Sequence, residues 1–309
     1  MRVLITGVGG FVGRNLARHL LAAGDRVSGT YVDDRPALPG LAAADLYEAD
    51  LLDPAALARV LRAADPEAVV NLAGLSHVGE SWQRMSDYFR VNVLGTENLL
   101  RAAAGRRVVI ASSAEVYGAV PAARQPIAED EMVDPRTPYA LTKAAAERLA
   151  FAHGAVVARS FNLVGPGQAP TFALPAFAAQ LAAIARGEQE AVLKVGNLSA
   201  RRDFVHVDDG AAAYRLLAAA GRAGEIYNVA SGRAPSIGEA LERLMAISGV
   251  PARVEPDPER MRPVDLPLLL GDNRRLRNLG WEPQRSLDDA LADLWETVRP
   301  RREVPAPGA

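Results

Sequence analysis

The sequence predicts an α/β fold, a doubly wound parallel sheet with helices on both faces and a smaller C-terminal lobe. Three observations carry this. Short apolar runs alternate with helical stretches through the first half of the chain, the pattern of strands joined by crossover helices. The first run, Arg2–Thr6, passes into a glycine-rich turn and then directly into a helix. The 309 residues are enough to bury a sizeable core, and no repeat or linker divides them cleanly.

The totals exclude several classes of partner. A formal net charge of -2, from 35 basic and 37 acidic residues, argues against a nucleic-acid partner. No apolar run approaches the ~20 residues needed to cross a bilayer, so no membrane partner is expected. Cysteine is absent, which rules out disulfides and thiolate metal sites and suggests a reducing, cytoplasmic location. No pair among His19, His77, His153 and His206 has helical metal-ligand spacing, so no metal is expected. Met1-Arg2-Val3 leads straight into a strand, and no leader is expected.

In the first unit, Gly7-Val-Gly-Gly10-Phe11-Val12-Gly13 follows the strand and opens a helix that stops at Gly24. Gly7 allows the tight turn, Gly10 lets backbone approach a pyrophosphate, and Gly13 lets helix and strand pack closely. The helix N-terminus then offers free N–H groups to phosphates. This is a dinucleotide site. Residues 26–32 read as the second strand. An acid near its end would pair with the ribose 2′-hydroxyl of NAD, and an arginine with the 2′-phosphate of NADP. Asp33, Asp34 and Arg35 follow one another there, and the usual acid position can also fall on Tyr31, so the choice between NADP and NAD stays open.

A third strand ends at Glu48-Ala-Asp50, with Asp53 as cap and Pro54 in the first turn of the next helix. Asp50 can reach an adenine amino group. Residues 68–74 form the fourth strand, whose small end residues leave room for a cofactor, and Ser76–Trp82 is a polar loop above it. A helix over 88–104 carries Asn92 on an apolar face, where its amide needs partners and can tie strands together.

The chemistry centres on Ser112 to Lys143. Ser113 ends a buried strand. Tyr139 and Lys143 stand four apart, one turn on a single helix face. An ammonium beside a phenol stabilises the phenolate, so the Tyr139 pKa is expected to fall toward neutrality and make it a proton donor and acceptor. Beyond it come a strand at 156–159, a Pro/Gly loop to Gln168 at the carboxyl edge, and a helix over 170–187. A strand with a basic loop follows at 193–204, then a helix from 205 to 217, a strand at 226–230 and a helix over 237–248. Residues 251–267 read as extended. His77 and His206 read as satisfied loop or cap residues.

Together these residues resemble the extended short-chain dehydrogenase/reductase family over nearly the whole chain. The glycine loop, Asn71-Leu-Ala-Gly74, Ser113, Tyr139-x-x-x-Lys143 and Arg159-Ser-Phe-Asn162 fall in the family's order. The second half looks most like the GDP-mannose branch, through Lys194-Val-Gly-Asn-Leu198 with Arg202-Asp203-Phe204, and Arg262-Pro-Val-Asp265 with the segment 270–281.

The resemblance implies a Rossmann-type body of residues 1–163 and 205–232 and a nucleotide-sugar lobe of 164–204 and 233–309. It implies NADP or NAD held by Gly7, Gly10, Phe11, Val12, Gly13, Asp33, Asp50, Leu51, Leu72, Ala73, Asn92, Tyr139 and Lys143. It implies a GDP-linked hexose held by Ser76, Asn162, Asn197, Arg202, Arg262 and Asp265, with guanidinium groups on the pyrophosphate. Ser113, Glu115, Tyr139 and Lys143 would be catalytic.

The activity implied first is reduction of the C4 ketone of GDP-4-keto-6-deoxy-mannose to GDP-rhamnose. Dehydration of GDP-mannose through Glu115, an epimerase, and a non-catalytic dinucleotide sensor stay open. A homodimer through helices near 84–104 and 138–152 is also implied.

Overall fold

The computed structural model describes residues 1–261 and 266–300. The body opens with β1 (Arg2–Thr6), α1 (Phe11–Ala22), β2 (Arg26–Tyr31), β3 (Leu46–Glu48), α2 (Pro54–Ala64) and β4 (Ala68–Asn71). It continues through α3 (Met85–Tyr88), a π-helical turn at Phe89–Leu94, α4 (Gly95–Ala102), β5 (Arg107–Ser113), α5 (Pro138–Ala152) and β6 (Val156–Ser160). Then come β7 (Asn162–Val164), α6 (Ala173–Ala185), β8 (Val192–Val195), β9 (Arg201–Arg202), β10 (Phe204–His206), α7 (Val207–Ala220) and β11 (Ile226–Val229). The chain closes with α8 (Ile237–Ser248), β12 (Arg253–Pro256), β13 (Leu268–Leu269), α9 (Arg274–Arg277) and α10 (Leu287–Val298).

Seven strands make one parallel sheet in the order β11-β6-β5-β4-β1-β2-β3. Strand side chains alternate between faces. Val3 and Ile5 pack with Leu16 and Leu20 of α1 and Tyr214 and Leu217 of α7. Leu4, between them, packs with Leu57 of α2, Leu99 of α4 and Ala150 of α5 on the other side. Strands buried on both faces read as unbroken apolar runs, which is why they stood out in the sequence. A separate apolar cluster joins Leu174 and Phe177 of α6, Leu193 of β8, Leu241 and Leu244 of α8 and Leu291 and Leu294 of α10.

Helix starts follow their caps. Asp53 accepts from the N–H groups of Ala55 and Ala56 at 2.9 Å. Thr137 accepts from Ala140 N at 3.1 Å and fixes where α5 begins, and so the facing of Tyr139 and Lys143. Ser236 and Glu239 form a reciprocal capping box at α8.

Three sequence expectations change, and a fourth gains a partner. The helix expected over 88–104 is widened by the π turn that contains Asn92. The helix expected over 170–187 is shorter, Ala173–Ala185. Residues 205 and 206 are strand rather than helix, because β10 pairs in parallel with β7 and the His206 ring accepts from Asp208 N, starting α7 at Val207. Within the extended 251–267 stretch, Arg253–Pro256 pairs with β8, about 60 residues earlier, a contact that no local pattern encodes. Among the described residues no helix is long and apolar enough to cross a membrane.

Candidate active site

The carboxyl ends of β1 and β4 meet at the glycine loop. Gly7 has φ +68, and a Cβ there would lie 2.9 Å from Ala73 Cα, so only glycine lets the loop rest on the end of β4. Ala73 N donates to Thr6 Oγ1 at 3.3 Å, and Thr6 donates to Asn71 Oδ1 at 2.6 Å, which locks the two strand ends together. Gly10 begins α1 without a side-chain cap, and the first turn carries no acid. The opening amides of Phe11, Val12 and Gly13 therefore face no competing side-chain oxygen of their own helix cap.

Beside the loop is a cavity of about 440 Å³ lined by Gly7, Gly10, Arg14, Tyr31, Asp34 and Arg35 among others. These features fit a dinucleotide: a cradle that a Cβ would fill, an uncapped helix start and a cleft at the adenosine end. Asp33, expected to hold the adenosine ribose, does not line this cavity. β2 stops at Tyr31, and Asp33 takes a left-handed turn at φ +66 that leaves it exposed, while Asp34 and Arg35 after it line the cavity. Arg35 Nε donates to the Tyr31 hydroxyl at 3.2 Å, which fixes the guanidinium at the cavity wall. Arg14, one turn into α1, was not singled out from sequence, where it reads as a solvated helix residue. Asp50 accepts from Leu52 N at 2.9 Å, and Leu51 is buried against Gly95.

Ser113, Tyr139 and Lys143 come together at the end of β5. The Ser113 hydroxyl lies beside the Tyr139 phenol and acts to lower its pKa, and its Oγ accepts from Glu115 N at 3.3 Å. The Tyr139 ring is 8% exposed and meets Tyr88 edge-on, with ring centroids 6.4 Å apart. Lys143 Nζ lies 5.9 Å from the Tyr139 ring centroid and donates to Ala111 O at 2.9 Å.

The expected fall of the Tyr139 pKa is not what this arrangement gives. Burial pushes the phenol above its ordinary value, the Glu115 charge adds to that, and the neighbouring Ser113 hydroxyl only partly offsets it. Lys143, whose ammonium donates to the Ala111 carbonyl, is not among the groups that set the phenol's balance. Burial instead lowers the lysine to about 8.

Asn92 holds the loop after β4 in place. Its Oδ1 accepts from Leu75 N at 2.9 Å, and its Nδ2 donates to Leu75 O and to Thr142 Oγ1, both at 3.0 Å. A Cβ on Gly74 would lie 2.7 Å from Asn92 Oδ1 and 3.7 Å from Lys143 Nζ, so loop, π turn and α5 converge here. Leu72 and Ala73 form the part-buried rim between this point and the glycine loop.

Ser76 is exposed on the loop after β4. His77 next to it is a satisfied loop residue, its Nδ1 accepting from Glu80 N at 3.1 Å. Asn162, at the start of β7, has a buried Nδ2 with no hydrogen-bond partner among the described residues. An unpaired buried donor costs about 1–3 kcal/mol, so an acceptor is the natural complement at this edge. Arg202 is buried and donates from Nη1 to Leu266 O at 2.6 Å. Asp203 is directed elsewhere and accepts from Ser231, Gly232 and Gly271. Asn197 shapes its own exposed turn by accepting from Ser199 N and Oγ. Arg262 and Asp265 lie outside the described residues.

A glycine loop on a parallel sheet, with serine, tyrosine and lysine converging beside it, defines a short-chain dehydrogenase/reductase of the extended type. The profile of the GDP-mannose 4,6 dehydratase family matches residues 4–294, and the chain belongs to that family. It is 35% identical to the GDP-6-deoxy-D-mannose reductase of Pseudomonas aeruginosa, covering 96% of this chain and 97% of the relative. It is 32% identical to a UDP-glucose 4-epimerase of Streptomyces lividans, over 96% and 95% of the two chains. The solved structure of RMD from Pseudomonas aeruginosa complexed with NADPH superposes with a TM-score of 0.84, at 35% identity over 96% of this chain and 98% of that one. UDP-glucose 4-epimerase from Thermus thermophilus, solved with NAD, gives 0.83 at 27% identity, over 96% and 99%.

Proposed function

We propose that this chain reduces the C4 ketone of GDP-4-keto-6-deoxy-mannose to GDP-rhamnose, drawing hydride from NADPH in preference to NADH. The observation that carries the reading is the buried Tyr139 phenol beside the Ser113 hydroxyl and Lys143, in a chain similar along its length to a GDP-6-deoxy-D-mannose reductase. A phenol that burial keeps protonated suits a reaction that must deliver a proton to a developing alkoxide.

The bound nicotinamide would supply the hydride. Tyr139 would protonate the C4 oxygen, while Ser113 would donate a hydrogen bond that strengthens as negative charge grows on that oxygen. Lys143 would hold the nicotinamide ribose. Gly7, Gly10, Phe11, Val12 and Gly13 would cradle the pyrophosphate, and Asp50, Leu51, Leu72, Ala73 and Asn92 would frame the rest of the coenzyme. Asn162, Ser76 and Asn197 would meet the sugar and base, and Arg202, with Arg262 and Asp265, the diphosphate end. In this reading the body comprises residues 1–163 and 205–232, the lobe residues 164–204 and 233–309.

Arg35 and Arg14 on the cavity wall support the preference for a 2′-phosphate. Arg35→Ala is expected to lower kcat/KM for NADPH by roughly 10–100-fold, the loss of one or two charged hydrogen bonds, and to leave NADH nearly unaffected. Steady-state kinetics with both coenzymes checks this, and an equal fall for both would reject a 2′-phosphate contact.

Two copies would pair through an apolar stripe of Met85, Phe89 and Leu94 with Leu141 of α5, all of them exposed. Glu115, two residues after Ser113 and bearing on Tyr139 through its charge, favours GDP-mannose 4,6-dehydratase as the second reading, with the carboxylate removing the C5 proton. One assay separates the two. Purified protein should consume NADPH when given the keto sugar and should form no 4-keto product from GDP-mannose alone. Formation of that product would transfer the assignment to the dehydratase.

A further inference from the structure

One buried carboxylate, outside the reacting groups, joins the three segments that carry them. Glu147 stands one turn after Lys143 on α5 and is 2% exposed. Its Oε1 accepts from Ser112 Oγ at 2.5 Å and from Arg159 Nε at 2.9 Å, and its Oε2 accepts from Arg159 Nη2 at 2.7 Å. Ser112 precedes Ser113 on β5, and Arg159 lies on β6, three residues before Asn162. Arg159 is fixed in turn, with Nη1 donating to Glu129 O at 3.2 Å and its guanidinium 4.7 Å from the Tyr117 ring centroid.

We propose that Glu147 is a positioning residue that ties α5 to β5 and β6 and so holds Tyr139 and Lys143 at a fixed height against Ser113 on β5. This rests on the reading that Ser113, Tyr139 and Lys143 carry the reaction. The groups around the ammonium are few. Tyr139 and Glu147 face it from α5, the Ala111 carbonyl from β5, Gly74 from the loop after β4 and Asn92 from the π turn beside that loop, while Arg159 of β6 lies behind Glu147. Burial favours the neutral amine, and the Glu147 charge opposes it. Without that carboxylate, the Arg159 cation would stand unbalanced in the same low-dielectric interior.

The chain offers a direct measurement, because Lys143 and Lys194 are its only two lysines. Protein labelled with 13C at the lysine Cε carbons gives two resonances. Lys194 is exposed and pairs with Glu255 at 2.8 Å, which makes it an internal control. In Glu147→Gln the Lys143 titration midpoint is expected to fall by about one pH unit or more, while that of Lys194 stays in place. The alkaline limb of NADPH binding and of kcat/KM should move with it. Ser112→Ala keeps the carboxylate–guanidinium pair, and is expected to lower kcat severalfold with the lysine midpoint unchanged.

If Glu147→Gln does not fold, Glu147→Gln combined with Arg159→Met replaces the pair by neutral groups of similar shape, and the midpoint should still fall. A Lys143 midpoint unmoved in the folded variants, with only thermal stability reduced, would leave Glu147 as a structural ion pair and overturn the proposal. Absence of keto-sugar reduction by the unaltered protein would instead reject the reductase reading, with the lysine titration still deciding the role of Glu147.

Discussion

Tyr139→Phe is expected to lower kcat for the keto sugar by about 10²–10⁴-fold, the range that a positioned proton donor contributes. Coenzyme affinity should hardly change. The phenylalanine ring keeps the edge-on contact with Tyr88, and Lys143 keeps its bond to Ala111 O. Ser113 keeps its bond from Glu115 N, so the end of β5 stays in place. NADPH oxidation followed at saturating substrate, with calorimetric titration of NADPH, checks both halves. A variant as active as the parent would mean that the proton comes from elsewhere, and Glu115 is the carboxylic acid nearest in kind to take its place.

Gly13→Ala is expected to abolish measurable coenzyme binding and to lower the melting temperature by several degrees. A methyl group there would press into the Gly7 carbonyl and lie 2.8 Å from Val8 Cα. Both are backbone atoms of the loop that must receive the pyrophosphate, so neither can yield without opening the loop or tilting α1. Overpacking of this kind costs about 1–3 kcal/mol. That translates to roughly 2–4 °C for each kcal/mol in a chain of this class. Calorimetry and NADPH fluorescence titration measure the two effects. Gly24→Ala is the matched control, since nothing lies within 4 Å of its Cβ position, although its own positive φ makes it carry some backbone strain.

How far the sequence could be read depended on whether the relevant contacts were local. The glycine loop, the Asp53-Pro54 start of α2 and the four-residue spacing of Tyr139 and Lys143 are local, and each fixed an element or a facing that the structure bears out. α8 begins and ends where the sequence placed it, because Ser236 with Glu239 at one end and Gly249 at the other are strong signals. Asp33 sits in the left-handed turn after β2, outside the cavity that its neighbours Asp34 and Arg35 line, and single-residue register at a strand end has no sequence mark. The Tyr139 prediction weighed its helix neighbour and missed the burial supplied by Tyr88 and the surrounding body. Ser112, Glu147 and Arg159 are 12 to 47 residues apart and read singly as unremarkable polar positions. Only the fold brings them to one point.

The seventh strand has a consequence for biosynthesis. β11 comes from residues 226–229, after the chain has left the sheet to form β7, α6, β8, β9 and β10 and returned along α7. Leu276 and Trp281, later still, complete the apolar layer under the same edge. A polypeptide emerging from the ribosome and halted before residue 226 would present β6 as an open strand edge, ready to pair with any extended neighbour. Tyr214 and Leu217 would lack Tyr227 as a packing partner. Excising the first 163 residues as a free-standing coenzyme module would yield a sticky fragment, and split or permuted forms of this protein must keep 226–229 on the same piece as β6.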